Sequence, residues 1–187
     1  MLFERMIRAA RLDPELYHEL RRDRSANGQA FLVVLIAFAG ALLGGGLAQL
    51  LYFLSPLGWI PLLLGAGYAL MDWLFWCYIA ELVGRRFGSR ADFEQILRPV
   101  GFAFAPGVLR ALTLFSGLAR SVNLIVFLWI AVGSVLAVRE AMQLDTRRAL
   151  QTAVLTTVIV AVIDAIVCFI TGHALSLVAL LPFSLGR

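Results

Sequence analysis

The sequence predicts an all-α polytopic membrane protein with five transmembrane helices and an amphipathic N-terminal segment. Its 187 residues are 61% apolar and 15% charged, and the mean hydropathy is +0.87. These values lie outside the range of soluble domains. Five apolar runs are each long enough to cross a bilayer as a helix. Arginines cluster between alternate runs, as expected for loops on one side of a membrane.

Residues 1–27 are predicted to form a cytoplasmic amphipathic segment, separate from a membrane domain over 28–187. Apolar residues recur on one helical face, opposite acidic and basic ones, and Asp13 can cap a second helix that starts at Pro14. Two placements are open for this segment. It lies in the plane of the membrane interface, or it docks on the protein's own cytoplasmic loops.

The first predicted span covers about 30–54 and the second about 57–83. The first has small residues at i,i+4 spacing, which let another helix approach closely, at Ala37, Gly40, Ala41, Gly44, Gly45 and Gly46. Packing within the chain is the preferred interpretation, and a dimer face is the alternative. The second span carries Asp72 near its centre, and Glu81 precedes Arg85 by four residues, the favourable order for a helical ion pair.

The third span, about 99–118, follows a polar helical start for which Ser89 is the predicted N-cap. Pro106 should interrupt this helix, which also carries Arg110. The fourth span covers about 122–138. The fifth covers about 149–181, after a cap at Asp145 or Thr146, and contains Asp164.

Arginine counts predict the orientation, since the chain has no lysine. Thirteen arginines lie in the N-terminal segment and in the loops after the second and fourth spans, against two in the segments on the other side. The positive-inside rule therefore places the N-terminus in the cytoplasm and the C-terminus outside.

Three charges within the spans form a predicted intramembrane cluster. Measured from the cytoplasmic helix ends, Asp72 and Arg110 lie roughly 16 Å deep and Asp164 roughly 22 Å. A charge in a bilayer is costly and should have a partner. Either Arg110 forms a structural ion pair with one or both aspartates, or the three line a pathway for an ion or small anion.

No catalytic, cofactor or metal site is predicted. The sequence lacks the motifs of intramembrane metalloproteases and P-loop proteins, and its basic residues do not form a nucleic-acid patch. Cys77 and Cys168 stand in apolar runs, where small buried core residues are expected rather than a disulfide framework.

Several segments resemble the Ypt-interacting-protein (Yip) family, in its bacterial branch. They are RLDPELYHELRRDRSANGQA, FEQILRPVGFAFAPGVLR and AVREAMQLDTRRAL. The most specific matching residues are Leu97, Arg98, Gly101, Phe102, Ala105 and Pro106. The resemblance implies five spans with a cytoplasmic N-terminus, in the bacterial inner membrane. Eukaryotic members take part in vesicle trafficking and contact Rab-type GTPases, and the family motif names no catalytic residue.

The predicted function is therefore non-enzymatic membrane organisation or partner docking at the cytoplasmic face. The expected partners are the lipid bilayer, a cytoplasmic protein and further copies of this chain. The alternative function is a small transporter or channel that uses Asp72, Arg110 and Asp164.

Overall fold

The computed structural model describes residues 2–45, 51, 55 and 58–184, excluding the side chains of 116 and 171–184. The described part is all-helical. Its α-helices are α1 Leu2–Ala10, α2 Pro14–Arg22, α3 Ala26–Gly44, α4 Trp59–Arg86, α5 Phe93–Ala103, α6 Ala119–Met142 and α7 Thr146–Ser184. A 3₁₀ segment, Ala105–Leu114, follows α5 directly, and a short 3₁₀ turn, Ser116–Leu118, precedes α6.

Five helical stretches are long and apolar enough to cross a membrane. They are Ala26–Gly44, Trp59–Arg86, Phe93–Leu114, Ala119–Met142 and Thr146–Ile170. This confirms the predicted fold class. The α2–α3, α4–α5 and α6–α7 links lie at one end of the bundle, which we call the arginine-rich end.

Helix starts follow local capping chemistry. Asp13 accepts a hydrogen bond from the Glu15 amide (3.0 Å), which confirms the predicted cap of α2. Asp145 accepts one from the Arg148 amide at the start of α7. The predicted Ser89 cap is wrong, because Asp92 is the N-cap of α5. The Ser89 hydroxyl instead accepts a hydrogen bond from the Ala91 amide within the preceding loop.

The third span begins earlier than predicted and changes geometry midway. It starts at Phe93 rather than near Pro99, and α5 gives way to the 3₁₀ segment at Ala105–Pro106. Proline has no amide hydrogen and its ring clashes with the preceding turn, so a break at Pro106 is expected. The predicted interruption is confirmed.

The small-residue face of α3 packs within the chain. A Cβ added to Gly40 would lie 2.7 Å from the Val108 backbone oxygen, and one at Gly44 would collide with Thr113 and the Arg110 backbone. Glycine at these positions lets α3 lie directly against the 3₁₀ segment. The packing interpretation holds for Gly40 and Gly44, whereas Gly46 lies outside the described residues.

The N-terminal segment shares its core with the spans. Leu16, Tyr17 and Leu20 of α2 are fully buried, in one cluster that also contains Val100 of α5 and Val138 of α6. The core is therefore continuous across the predicted boundary between 27 and 28. Helix α2 therefore follows the second predicted placement, docking on the protein itself. It packs against spanning helices rather than against loops.

Helix α1 is only partly covered. It buries Met6 and Ala9, but Phe3 is 72% exposed and Ile7 54% exposed. Its C-terminal end is attached to α6, because the Trp129 indole donates a hydrogen bond to the Ala10 carbonyl (2.7 Å).

The two cysteines differ in environment. Cys77 in α4 is buried, as predicted, whereas Cys168 in α7 is exposed. The prediction of a core position for Cys168 is wrong because α7 presents that face outward.

Candidate functional site at the arginine-rich end

Arg98 connects three helices at the arginine-rich end. Its Nε donates to Asn27 Oδ1 (2.5 Å), one terminal nitrogen donates to the Arg21 carbonyl (2.8 Å), and the other donates to Glu94 Oε2 (2.8 Å). The Arg98 side chain is only 3% exposed. We call Arg98, Asn27, Arg21 and Glu94 the Arg98 junction.

Local structure explains why these groups meet. Glu94 lies one helical turn before Arg98 in α5, which places both side chains on one face. Asn27 is in the first turn of α3. Arg21 is in the last turn of α2, where a backbone carbonyl has no partner within the helix. A guanidinium group has five donors in a fixed plane, so it can serve all three acceptors. The charge of Arg98 is thereby buried with partners.

The other motif residues are core residues. They are buried along α5 and the start of the 3₁₀ segment, at Leu97, Gly101, Phe102, Ala105 and Pro106. A Cβ at Gly101 would lie 2.8 Å from Ala30 Cβ and 2.9 Å from the Trp73 ring. The motif thus combines close helix packing with the polar contacts of Arg98.

Two of the three predicted cluster charges come together. The Asp72 carboxyl of α4 lies near the Asp164 carboxyl of α7, and Tyr68 of α4 also lies near Asp164. This proximity brings α4 and α7 together within the spans.

Arg110 does not form an ion pair with either aspartate in the described structure. Within the part of the chain that the structure describes, it makes no salt bridge, and its Nε is buried without a hydrogen-bond partner. It lines a cavity of about 300 Å³ with Thr113 and Asn123. A 3₁₀ helix rises about 2.0 Å per residue instead of 1.5 Å, so Arg110 lies roughly 30 Å from the arginine-rich end of its span. A functional role for the three charges stays a prediction.

A polar cavity of about 810 Å³ adjoins the Arg98 junction. Four arginines line it, namely Arg21, Arg22, Arg24 and Arg98. The sequence indicated an arginine-rich segment, but it did not indicate that three of its arginines would meet Arg98, 74 to 77 positions away. We call this cavity the basic cavity. Among the described residues, no group of three His, Cys, Asp or Glu side chains could hold a metal ion.

Most of the chain matches one known protein family. A family model described as the Yip1 domain matches residues 12–182. The chain belongs to the Yip1 domain family. The Yip1 match starts before α2, in agreement with the shared core of α2 and the spans. Neither the curated proteins nor the solved structures gave a match.

Proposed function

We propose that this Yip1 domain protein is a non-enzymatic protein that docks partners or organises the membrane at its arginine-rich end. The observation that carries the proposal is the Arg98 junction. It fixes the N-terminal helices to the spans, so that the arginine-rich end has a defined, folded surface rather than loose loops. A rigid polar surface is suited to binding a partner at low entropic cost.

Ion pairing leaves mostly arginines as the unpaired charges of this surface. The acidic residues Asp13, Glu19 and Asp23 are engaged in ion pairs with Arg5 and Arg8. Exposed arginines outside such pairs in the described structure are Arg11, Arg22, Arg24, Arg86, Arg90, Arg147 and, at the opposite end, Arg120. The proposed partner is therefore acidic at its contact surface.

Arginine counts support the orientation that goes with this role. We propose that the arginine-rich end faces the cytoplasm of a bacterial cell, with the protein in the inner membrane. The positive-inside rule gives this direction from thirteen arginines against two. An acidic partner would then be a cytoplasmic protein or the cytoplasmic part of a membrane protein.

Crosslinking in native membranes tests the docking proposal. The unmodified chain is compared with R86E/R147E, which reverses two exposed charges outside the basic cavity, and with R120E at the opposite end. We expect one defined set of acidic partners to be retained by R120E and lost by R86E/R147E. Recovery of the same set by both variants would reject docking at this end.

A second candidate function is transport of protons or cations. The proximity of Asp72 and Asp164 favours it, since acidic side chains within spans are found in proton pathways. Purified protein in liposomes would be assayed for proton and cation flux beside D72N and D164N. Flux that either substitution abolishes, with the fold intact, would support transport. Flux equal to that of protein-free liposomes would exclude it.

A further inference from the structure

We infer that the arginine-rich end holds an anionic glycerophospholipid, with its phosphate in the basic cavity and an acyl chain in an adjoining apolar groove. Like the proposed function, this inference places the arginine-rich end at the level of the lipid headgroups. The two proposals share no other assumption. The lipid inference does not require a protein partner.

The basic cavity has the charge that a phosphate requires. Four guanidinium groups line it against two carboxylates, Asp92 and Glu94, which leaves two positive charges in excess. Glu94 is already engaged by Arg98 at 2.8 Å. Arginine binds phosphate oxygens through paired hydrogen bonds, and this geometry favours it over lysine in phosphate recognition.

The arginines from the α2–α3 region are available to a ligand. Arg21, Arg22 and Arg24 make no salt bridge with any residue that the structure describes. The Nε of Arg21 is buried and has no hydrogen-bond partner among the described residues. A buried donor without an acceptor costs free energy, and a phosphate oxygen in the cavity would supply the missing acceptor. Arg98, whose nitrogens are engaged in the Arg98 junction, positions this region.

An apolar groove lies beside the basic cavity. It has a volume of about 340 Å³ and is lined by Met71, Leu74, Phe75, Tyr78 and Phe93. Phe93 lines both spaces, so the two lie next to each other. The four α4 residues recur at i, i+3, i+4 and i+7, which places them on one helix face.

The position of the groove matches that of an acyl chain. Tyr78 lies roughly 12 Å and Met71 roughly 22 Å along α4 from its arginine-rich end. The groove therefore runs from near the headgroup level into the hydrocarbon of the adjacent leaflet, which is about 15 Å thick. A ligand that is anionic at one end and apolar at the other fits both the basic cavity and the apolar groove. Free phosphate fits only the basic cavity.

Lipid retention by the purified full chain tests the inference. Native mass spectrometry would count phosphatidylglycerol bound from mixed micelles that also contain phosphatidylethanolamine, which has no net charge. R21Q/R22Q/R24Q removes three cavity charges, and R86Q/R90Q/R147Q removes three charges at the same end outside the cavity. We expect the cavity variant to lower the bound phosphatidylglycerol at least about tenfold relative to the matched control. Equal losses in both variants would overturn the inference.

The apolar half has its own pair of variants. Met71 is 65% exposed in the groove and Leu64 is 69% exposed on α4 outside it. M71W should fill the groove and displace the lipid, whereas L64W should leave binding unchanged. Competition with inorganic phosphate distinguishes a lipid phosphate from a free phosphate ion as the ligand. If phosphate displaces the lipid fully and M71W binds normally, the site takes a free anion and the lipid inference is wrong.

A measurement on the unmodified chain remains decisive if the cavity variant does not fold. Phosphatidylglycerol with a photoreactive acyl chain should form adducts within 71–78 of α4. Adducts confined to other helices would contradict the inference. None of these assays uses a partner protein, so a negative lipid-binding result does not contradict the docking proposal. Loss of partner capture, in turn, does not contradict the lipid site.

Discussion

At the scale of single residues, Arg98 is the side chain whose loss should be most costly at the arginine-rich end. R98A leaves the partly buried acceptors of Asn27 and Arg21 without their donor. We expect the free energy of unfolding to fall by about 3 kcal/mol. The contribution of Glu94 should be small, because its side chain is 58% exposed and exposed ion pairs contribute little.

Thermal unfolding in detergent measures this effect. R98K keeps the charge, but a single ammonium group cannot reproduce the planar donor array, so most of the loss should remain. R90A, at an exposed arginine of the same end, is the control and should change stability by less than about 0.5 kcal/mol. A loss in R98A no larger than that in R90A would contradict the structural role of the Arg98 junction.

Gly40 offers a second test at the residue scale. A larger side chain meets the backbone of Val108, which cannot move aside as a flexible side chain would. We expect G40V to destabilise the protein by about 1–3 kcal/mol through overpacking. Gly28 is the matched control in the same helix, since no atom lies within 4 Å of an added Cβ. G28A should be neutral or slightly stabilising, and a greater loss in G28A than in G40V would argue against the close approach of α3.

At the scale of elements, α2 behaves as part of the membrane domain. Leu16 is fully buried and Phe3 of α1 is 72% exposed. L16A should cost about 3 kcal/mol because it leaves a cavity in the shared core, whereas F3A should cost less than about 0.5 kcal/mol. Unfolding in detergent measures both. Equal and small effects would mean that α2 is not anchored in the core.

The docking of α1 and α2 should weaken in acid. Hydrogen bonding from Arg8 lowers the pKa of Asp13, and the Ser25 hydroxyl and then Arg5 lower that of Asp23. Because these pKa values are depressed in the folded state, the unfolded state binds protons more readily. The stabilisation is therefore present above the unfolded pKa of about 4 and is lost as the pH falls through the folded values.

Hydrogen exchange, corrected for the intrinsic effect of pH, measures this loss. Protection of residues 2–22 should decrease between about pH 5 and pH 2, while protection of α6 changes less. D13N/D23N removes both titrating groups and should already show reduced protection at pH 7, with a flatter pH profile. An unchanged profile in that variant would exclude these ion pairs as the cause.

At the scale of the whole molecule, the main property to measure is the membrane topology, that is, which end of the bundle faces the cytoplasm. In a variant without Cys77 and Cys168, single cysteines would be introduced by R24C, R90C, R147C and S55C. With the arginine-rich end in the cytoplasm, a membrane-impermeant reagent added outside intact cells should label only S55C. Labelling of R90C from outside would reverse the proposed orientation, and lysed cells provide the control for accessibility.

The sequence by itself determined the number and order of the spans. In a bilayer each helix must satisfy its own backbone hydrogen bonds and present apolar side chains to lipid, so a span is a local property of about 20 residues. The caps at Asp13 and Asp145, the ion pair of Glu81 with Arg85 and the break at Pro106 are local in the same sense. The small residues of α3 likewise predicted close helix packing.

Only the tertiary structure decided which distant groups meet. Arg98 bonds Asn27 and Arg21, 71 and 77 positions away, and the neighbour of Asp72 is Asp164 rather than Arg110. Helical periodicity fixes the face of a residue on its own helix but not the neighbour that the face meets. The location of Arg110 also depended on a 3₁₀ segment, whose greater rise per residue accumulates along the span. The basic cavity and the apolar groove are lined by four separate helices, α2, α3, α4 and α5, and helix packing alone places the two spaces side by side.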